Sequence, residues 1–199
     1  MNKIFKSPPG QEELTTSFQR EIYTEFEYDR FGIKIEEGDI VLDCGANVGI
    51  FTQYALDMGA SQVLAYECDE PHFECYKENI TDDRVKATMG YVGDGNYDLP
   101  KIFEQHNINR IDFAKVDIEG AEWGMLANMR VEDLKRVSKW AIEFHTGYYF
   151  EDSTGQEKAD TLWRLLMIFE MFSVNGYDIK YENIHKNWDV VHLYAKKIN

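Results

Sequence analysis

Apolar positions along the chain change period several times. Between Gln11 and Arg30, Leu14, Phe18, Ile22 and Phe26 recur four apart, which suits an amphipathic helix. Ile22, Tyr23, Phe26 and Tyr28 would also serve a short strand. From Gly38 the pattern becomes regular. Short apolar runs predict strands at Asp39 to Cys44, Gln62 to Glu67, Val85 to Val92, Asp112 to Ile118 and Lys139 to His145, the third interrupted by Gly90. Helical spacing lies between them: Val48, Phe51, Ala55 and Met58; Phe73, Tyr76 and Ile80; a short helix opened by Pro100; and Glu122 to Met129. Gln156 to Phe172 is the clearest helix, with Ala159, Leu162, Leu166, Phe169 and Phe172 on one stripe and the Trp163 to Phe172 run assigned to core. Tyr177 to Ile184 and Val190 to Lys196 suit a closing hairpin with Asn187 and Trp188 near its turn.

Strands alternating with helices imply βαβ units around a mostly parallel sheet covered on both faces. The fold class expected is therefore α/β, a doubly wound Rossmann-like sheet of seven strands with a terminal antiparallel hairpin. Residues 1–37 are expected as a lead segment packing on a single domain at 38–199.

Composition narrows the setting. The chain has 199 residues, 44% hydrophobic and 14% aromatic, enough for one packed core. Net charge is −15 with no clustered Lys and Arg, so neither nucleic acid nor an anionic membrane is expected as a partner. Three cysteines, Cys44, Cys68 and Cys75, form no CxxC pair. With no apolar leader at MNKIFKSPPG, they suggest a reducing, cytoplasmic compartment. The oligomeric state stays open.

The most informative stretch is Asp43-Cys44-Gly45-Ala46-Asn47-Val48-Gly49, between a buried strand and an amphipathic helix, where doubly wound folds bind ligands. Gly45 lets the backbone turn sharply, Asn47 tolerates a left-handed conformation, and Gly49 permits close helix packing. Glu67 ends the next strand, where a carboxylate can accept both hydroxyls of a ribose. A nicotinamide site wants GxGxxG. DxGxNxG with an acid at its start better suits the sulfonium and ammonium of S-adenosylmethionine, with Asp43 accepting from the amino group. Cys44, Ala46 and Cys68 are expected to line this site.

VLDCGANVGIFT, VLAYECDEPHF, IDFAKVDIEGAEW and AIEFH together resemble the FkbM-type methyltransferases, over about Phe31 to His145. The resemblance implies the Rossmann-like class I methyltransferase fold and O-methyl transfer, often to a hydroxyl of a sugar or natural product. It assigns Asp43, Gly45, Asn47 and Gly49 to the cofactor loop and Glu67 to the ribose. A small-molecule or carbohydrate acceptor follows. The sequence departs from the family after the third strand, where only Gly93 to Leu99 precede the next helix, which predicts an open acceptor pocket.

In the fourth strand Lys115, Asp117 and Glu119 share a side by the two-residue period, and Glu143 and His145 do so in the fifth. Charges in a sheet covered on both faces need partners or a cleft. Methyl transfer to a hydroxyl benefits from a base near neutral pH. His145 is the expected base, with Glu119 or Asp117 orienting it or the acceptor. The plain alternative pairs Lys115 with Glu143 and leaves His145 as a strand cap. Asp117, Glu119 and His145 could also bind a divalent cation, but no tight ligand motif supports one and none is assigned. His145 to Phe150 is expected to face the acceptor. No Asn/Asp-Pro-Pro-Tyr/Phe element follows the fourth strand, which disfavours amino-methylation of bases. A binding module without turnover and an NAD-linked oxidoreductase are the competing readings.

Overall fold

The computed structural model describes residues 3–93, 95, 97–146, 154–183 and 190–198. The strands are β1 (Ile40–Cys44), β2 (Gln62–Glu67), β3 (Val85–Met89), β4 (Ile111–Val116), β5 (Val137–His145), β6 (Tyr177–Asn183) and β7 (Val190–Lys197). They form one seven-stranded sheet in the order β3-β2-β1-β4-β5-β7-β6. The first five strands run parallel, and β7 inserts antiparallel between β5 and β6. Seven helices accompany them among the described residues: α1 (Glu12–Tyr23), α2 (Ile50–Asp57), α3 (Glu70–Asn79), α4 (Leu99–Gln105), α5 (Glu122–Ala127), α6 (Val131–Leu134) and α7 (Gly155–Val174).

Side-chain alternation along the strands divides the core into two layers. Leu42, Cys44, Ala114, Val116, Trp140 and Phe144 face one layer, which α4, α5 and α7 close. Val41, Val63, Phe113, Ala141 and Tyr194 face the other, under α2 and α3. Phe5, Ile22, Tyr28 and Ile33 of the lead segment bury into that second layer.

Three expectations need correcting. The lead helix stops at Tyr23; Leu14 and Phe26 are exposed, and Phe26 takes a positive φ of 53° that no helix holds. The buried face of α7 is rotated from the expected stripe: Thr161, Leu165 and Phe172 are buried, while Leu162 and Leu166 are exposed. Its start is set by a capping box in which Thr154 and Glu157 satisfy each other's backbone N–H groups. Finally, β4 ends at Val116, so Asp117, Ile118 and Glu119 lie in the following turn, where Glu119 has φ 55°. The short helix α6 had no periodic signal, and the turn expected at Asn187–Trp188 lies outside the described residues.

The rotated face gives a direct test. Leu165→Ala should cost about 2–5 kcal/mol in urea unfolding, as a buried leucine does. Leu166→Ala should stay within about 0.5 kcal/mol, as an exposed one does.

Candidate functional site

Strand order reverses between β1 and β4, and crevices in open α/β sheets form outside the carboxyl ends of the strands at such a point. A cavity of about 730 Å³ lies there. The β1–α2 loop and the end of β2 line one part of it; the ends of β4 and β5 and the lead segment line the other.

The loop is built as the sequence requires. Gly45, Asn47 and Gly49 all have positive φ, 77°, 49° and 93°. A Cβ on Gly45 would lie 1.7 Å from the Asp117 carbonyl oxygen, and one on Gly49 would lie 2.6 Å from Ile80 Cγ1. Both glycines therefore serve contact as well as turn geometry. Glu67 accepts the Asn47 N–H at 2.7 Å through Oε2 and the Asp69 N–H at 2.7 Å through Oε1. Its carboxylate thus spans the two loops, and each oxygen keeps a lone pair for a ligand hydroxyl. Gly45, Ala46, Asn47, Glu67 and Cys68 line the cavity.

Asp43 and Cys44 do not. Both are fully buried. Asp43 Oδ2 accepts the Thr52 hydroxyl at 2.7 Å, and Oδ1 lies 3.6 Å from Lys115 Nζ. Asp43, expected to meet a cofactor amino group, sits beneath the loop, where neighbouring β4 places Lys115 opposite it. Cys44 points into the opposite layer, and its burial pushes the thiol well up. Gly49 is the N-cap of α2 and packs close against Ile80 and Tyr76.

Lys115 ties the two parts together. Its ammonium donates to the Gly45 carbonyl at 2.6 Å and the Cys44 carbonyl at 3.3 Å, and lies 3.3 Å from Asp117 Oδ2. Burial alone would lower its pKa, but Asp117 and Asp43 outweigh that and raise it, so it stays charged. The expected Lys115–Glu143 alternative is thereby replaced by pairing with Asp43 and Asp117.

His145 Nε2 lies 3.5 Å from Glu119, 3.6 Å from Glu143 and 3.9 Å from Asp117. Its Nδ1 lies 3.1 Å from Glu122, a fully buried carboxylate of the DIEGAEW stretch that strand and helix periods do not mark as a site residue. Glu122 also accepts the Ile118 and Gly120 N–H groups, which fixes the turn after β4. Burial pulls the His145 imidazole down, but Glu122, Asp117 and Glu143 together lift it to about 9. Burial raises the Asp117 carboxyl against the pull of Lys115, with Glu143 adding to the rise. Glu143 is burdened by burial too, yet His192, His145 and Tyr28 hold it low.

Asp117, Glu143 and His145 each offer one ligand atom within 4.8 Å of the others, as do Glu27, Glu143 and His192. Glu143 thus takes the place expected for Glu119 in a cation-binding set. Lys115 already supplies positive charge beside Asp117. Residues 147–150 of the expected acceptor-facing loop lie outside the described residues. Gly90, Tyr91 and Val92, which directly follow β3 and precede the shortened segment, line the cavity.

Residues 86–179 match a family model described as the methyltransferase FkbM domain. The chain is 30% identical over 95 residues to 31-O-demethyl-FK506 methyltransferase FkbM from Streptomyces tacrolimicus; the match covers 47% of the chain and 34% of that relative. The chain thus spans about a third of the relative's length. Aeropyrum pernix fibrillarin, solved with natively bound S-adenosyl-L-methionine, superposes with a TM-score of 0.57 at 12% identity, covering 85% of this chain and 71% of that one. The fibrillarin pre-rRNA processing protein of Methanococcus jannaschii gives 0.55 at 14% identity, covering 81% and 67%. These likenesses show the class I methyltransferase fold. They also overturn the exclusion of nucleic acid: proteins of this fold serve pre-rRNA processing. Net charge sums over the whole surface, whereas acceptor entry depends on the groups around one cavity. No described helix is long and apolar enough to cross a membrane.

Two outcomes test the electrostatics. Lys115→Met should cost about 3–5 kcal/mol in urea unfolding, because it strands buried carboxylates. The raised His145 pKa means its stabilising contribution is full below the ordinary value of 6.5 and lost as pH climbs through about 9. The thermal midpoint of the native protein should therefore fall more steeply from pH 6.5 to 10 than that of His145→Gln; parallel curves would refute the charged imidazole.

Proposed function

We propose that this chain, which carries an FkbM-type methyltransferase domain, is an S-adenosylmethionine-dependent O-methyltransferase acting on a hydroxyl of a sugar or small molecule. One observation carries the reading: a single cavity joins the Gly45–Asn47 loop and Glu67 to Asp117, Glu119 and His145. S-adenosylmethionine, when bound, supplies a methyl group on a sulfonium centre. Glu67 would hold its ribose, and the backbone of Gly45 to Asn47 its amino-acid end. The residues present suit that group: a carboxylate with free lone pairs at the end of β2, and a loop closed by glycine contacts.

The other half of the cavity orients the acceptor and takes its proton. At neutral pH His145 is protonated, because its pKa lies near 9, so it cannot itself receive a proton there. Asp117 takes the hydroxyl proton, and the His145 imidazolium, set by Glu122, holds the acceptor oxygen beside it. This modifies the expected order of roles, in which His145 was the base. Glu119, exposed at the mouth, contacts the acceptor. Three free cysteines fit a cytoplasmic setting for the reaction.

The ribose of an RNA chain offers the same hydroxyl chemistry, and the fold shared with a pre-rRNA processing protein makes RNA the second acceptor to try. Calorimetry with S-adenosylhomocysteine should show binding that Glu67→Ala weakens about tenfold or more, the scale of lost hydrogen bonds to a charged group. Methyl-labelled S-adenosylmethionine, offered with a saccharide panel and separately with RNA, should label one class, and Asp117→Asn should abolish that labelling. A well-folded protein that does not bind S-adenosylhomocysteine would overturn the reading.

A further inference from the structure

A carboxylate that is to take a proton from a bound acceptor must present one oxygen to it in a fixed direction. For Asp117 a distant residue supplies that constraint. Tyr28 comes from the lead segment, far from β4 and β5 in sequence. Its hydroxyl donates toward Glu143 Oε2 at 3.0 Å and Asp117 Oδ2 at 3.2 Å. The ring is buried and held on three sides. It stacks on His192 with centroids 6.1 Å apart, meets Phe51 edge-on at 5.4 Å, and carries Lys115 Nζ at 5.5 Å from its centroid.

The contacts sort the four carboxylate oxygens. Asp117 Oδ2 is taken by Tyr28 and Lys115, and Glu143 Oε2 by Tyr28 and His192 at 3.2 Å. The other two, Asp117 Oδ1 and Glu143 Oε1, are those nearest His145 Nε2. We infer that Tyr28 is a positioning residue of the site: its single O–H, shared between one oxygen of each carboxylate, holds that oxygen and leaves the other directed to His145 and the acceptor. The lead segment is thereby part of the reaction centre as well as of the core.

The inference rests on the methyltransferase reading for its purpose but on the Tyr28 contacts for its substance. Burial, with Asp117 and Glu143 nearby, holds the Tyr28 phenol far above neutrality, so it remains a donor. The titratable groups facing the two carboxylates are Lys115 on β4, Glu119 after it, His145 on β5 with Glu122 behind it, His192 on β7 and Glu27 beside Tyr28. Tyr28 is a neutral donor among them, so it fixes geometry without adding charge.

The test follows the Asp117 and Glu143 carboxyl carbons by ¹³C NMR across pH in the full chain saturated with S-adenosylhomocysteine. Tyr28→Phe keeps the ring packing and removes only the hydroxyl. Both titrations should move to higher pH, by about half a unit or more, because a donor to the ionised form is lost. Affinity for S-adenosylhomocysteine, measured by calorimetry, should stay within about twofold, equivalent to about 0.4 kcal/mol. Unchanged titrations would overturn the assignment, as would loss of S-adenosylhomocysteine binding in a folded variant. If Tyr28→Phe does not fold, 3-fluorotyrosine at position 28 replaces it. Its more acidic hydroxyl is a stronger donor and must move both titrations to lower pH; unmoved titrations would again overturn the role. If the native protein itself does not bind S-adenosylhomocysteine, the methyltransferase reading falls, while the same titrations without ligand still decide whether Tyr28 anchors the pair.

Discussion

The buried ammonium of Lys115 is the constraint on which the rest of the site depends. A charge at the centre of a sheet covered on both faces is costly unless it is paired and hydrogen-bonded. Here Asp43, Asp117 and the carbonyls of Cys44 and Gly45 surround it. Each of these belongs to the junction of β1 and β4, where the strand order reverses. One side chain thus locks the ligand loop to the turn that carries Asp117. Gly45 allows that approach, since any Cβ would meet the Asp117 carbonyl.

The same face of the sheet extends the polar arrangement sideways. Asp43 pairs in register with Lys115, and Glu143 with His192 on β7. The opposite layer at these levels holds Cys44, Val116 and Phe144. Concentrating charge on one face lets the other supply hydrophobic burial, while the charged face finds its partners in the lead segment and the cavity. Tyr28 stacking on His192 and Arg30 pairing with Glu182 at 3.0 Å belong to this closure.

The cavity is rich in carboxylates, yet each of them has its own set of partners. Lys115 and His145 answer the acids nearest the proposed chemistry. Glu27, farther along the wall, has its carboxyl pushed up to about 7 by burial. A local balance of this kind is invisible in a net charge of −15, and it is why bulk acidity is a poor guide to which acceptors, nucleic acid among them, can approach one cavity.

Much was determined by the sequence alone, because the signals were local. Strand and helix periods set the α/β order, and the hairpin at the end set the antiparallel member. Gly45, Asn47 and Gly49 had to be residues that accept positive φ, and they do. Glu67 at the end of β2 was placed by the length of one βα unit. Other features depended on tertiary structure. That Asp43 faces a buried ammonium is decided by the residue opposite it on β4, Lys115. The carboxylate behind His145 is Glu122 because α5 starts directly after the β4 turn and sets its first residue against both that turn and the end of β5. The buried face of α7 depends on where the sheet lies, not on which apolar residues are available to cover it. Tyr28 carried no periodic signal of a site: only the packed lead segment brings a distant hydroxyl between Asp117 and Glu143.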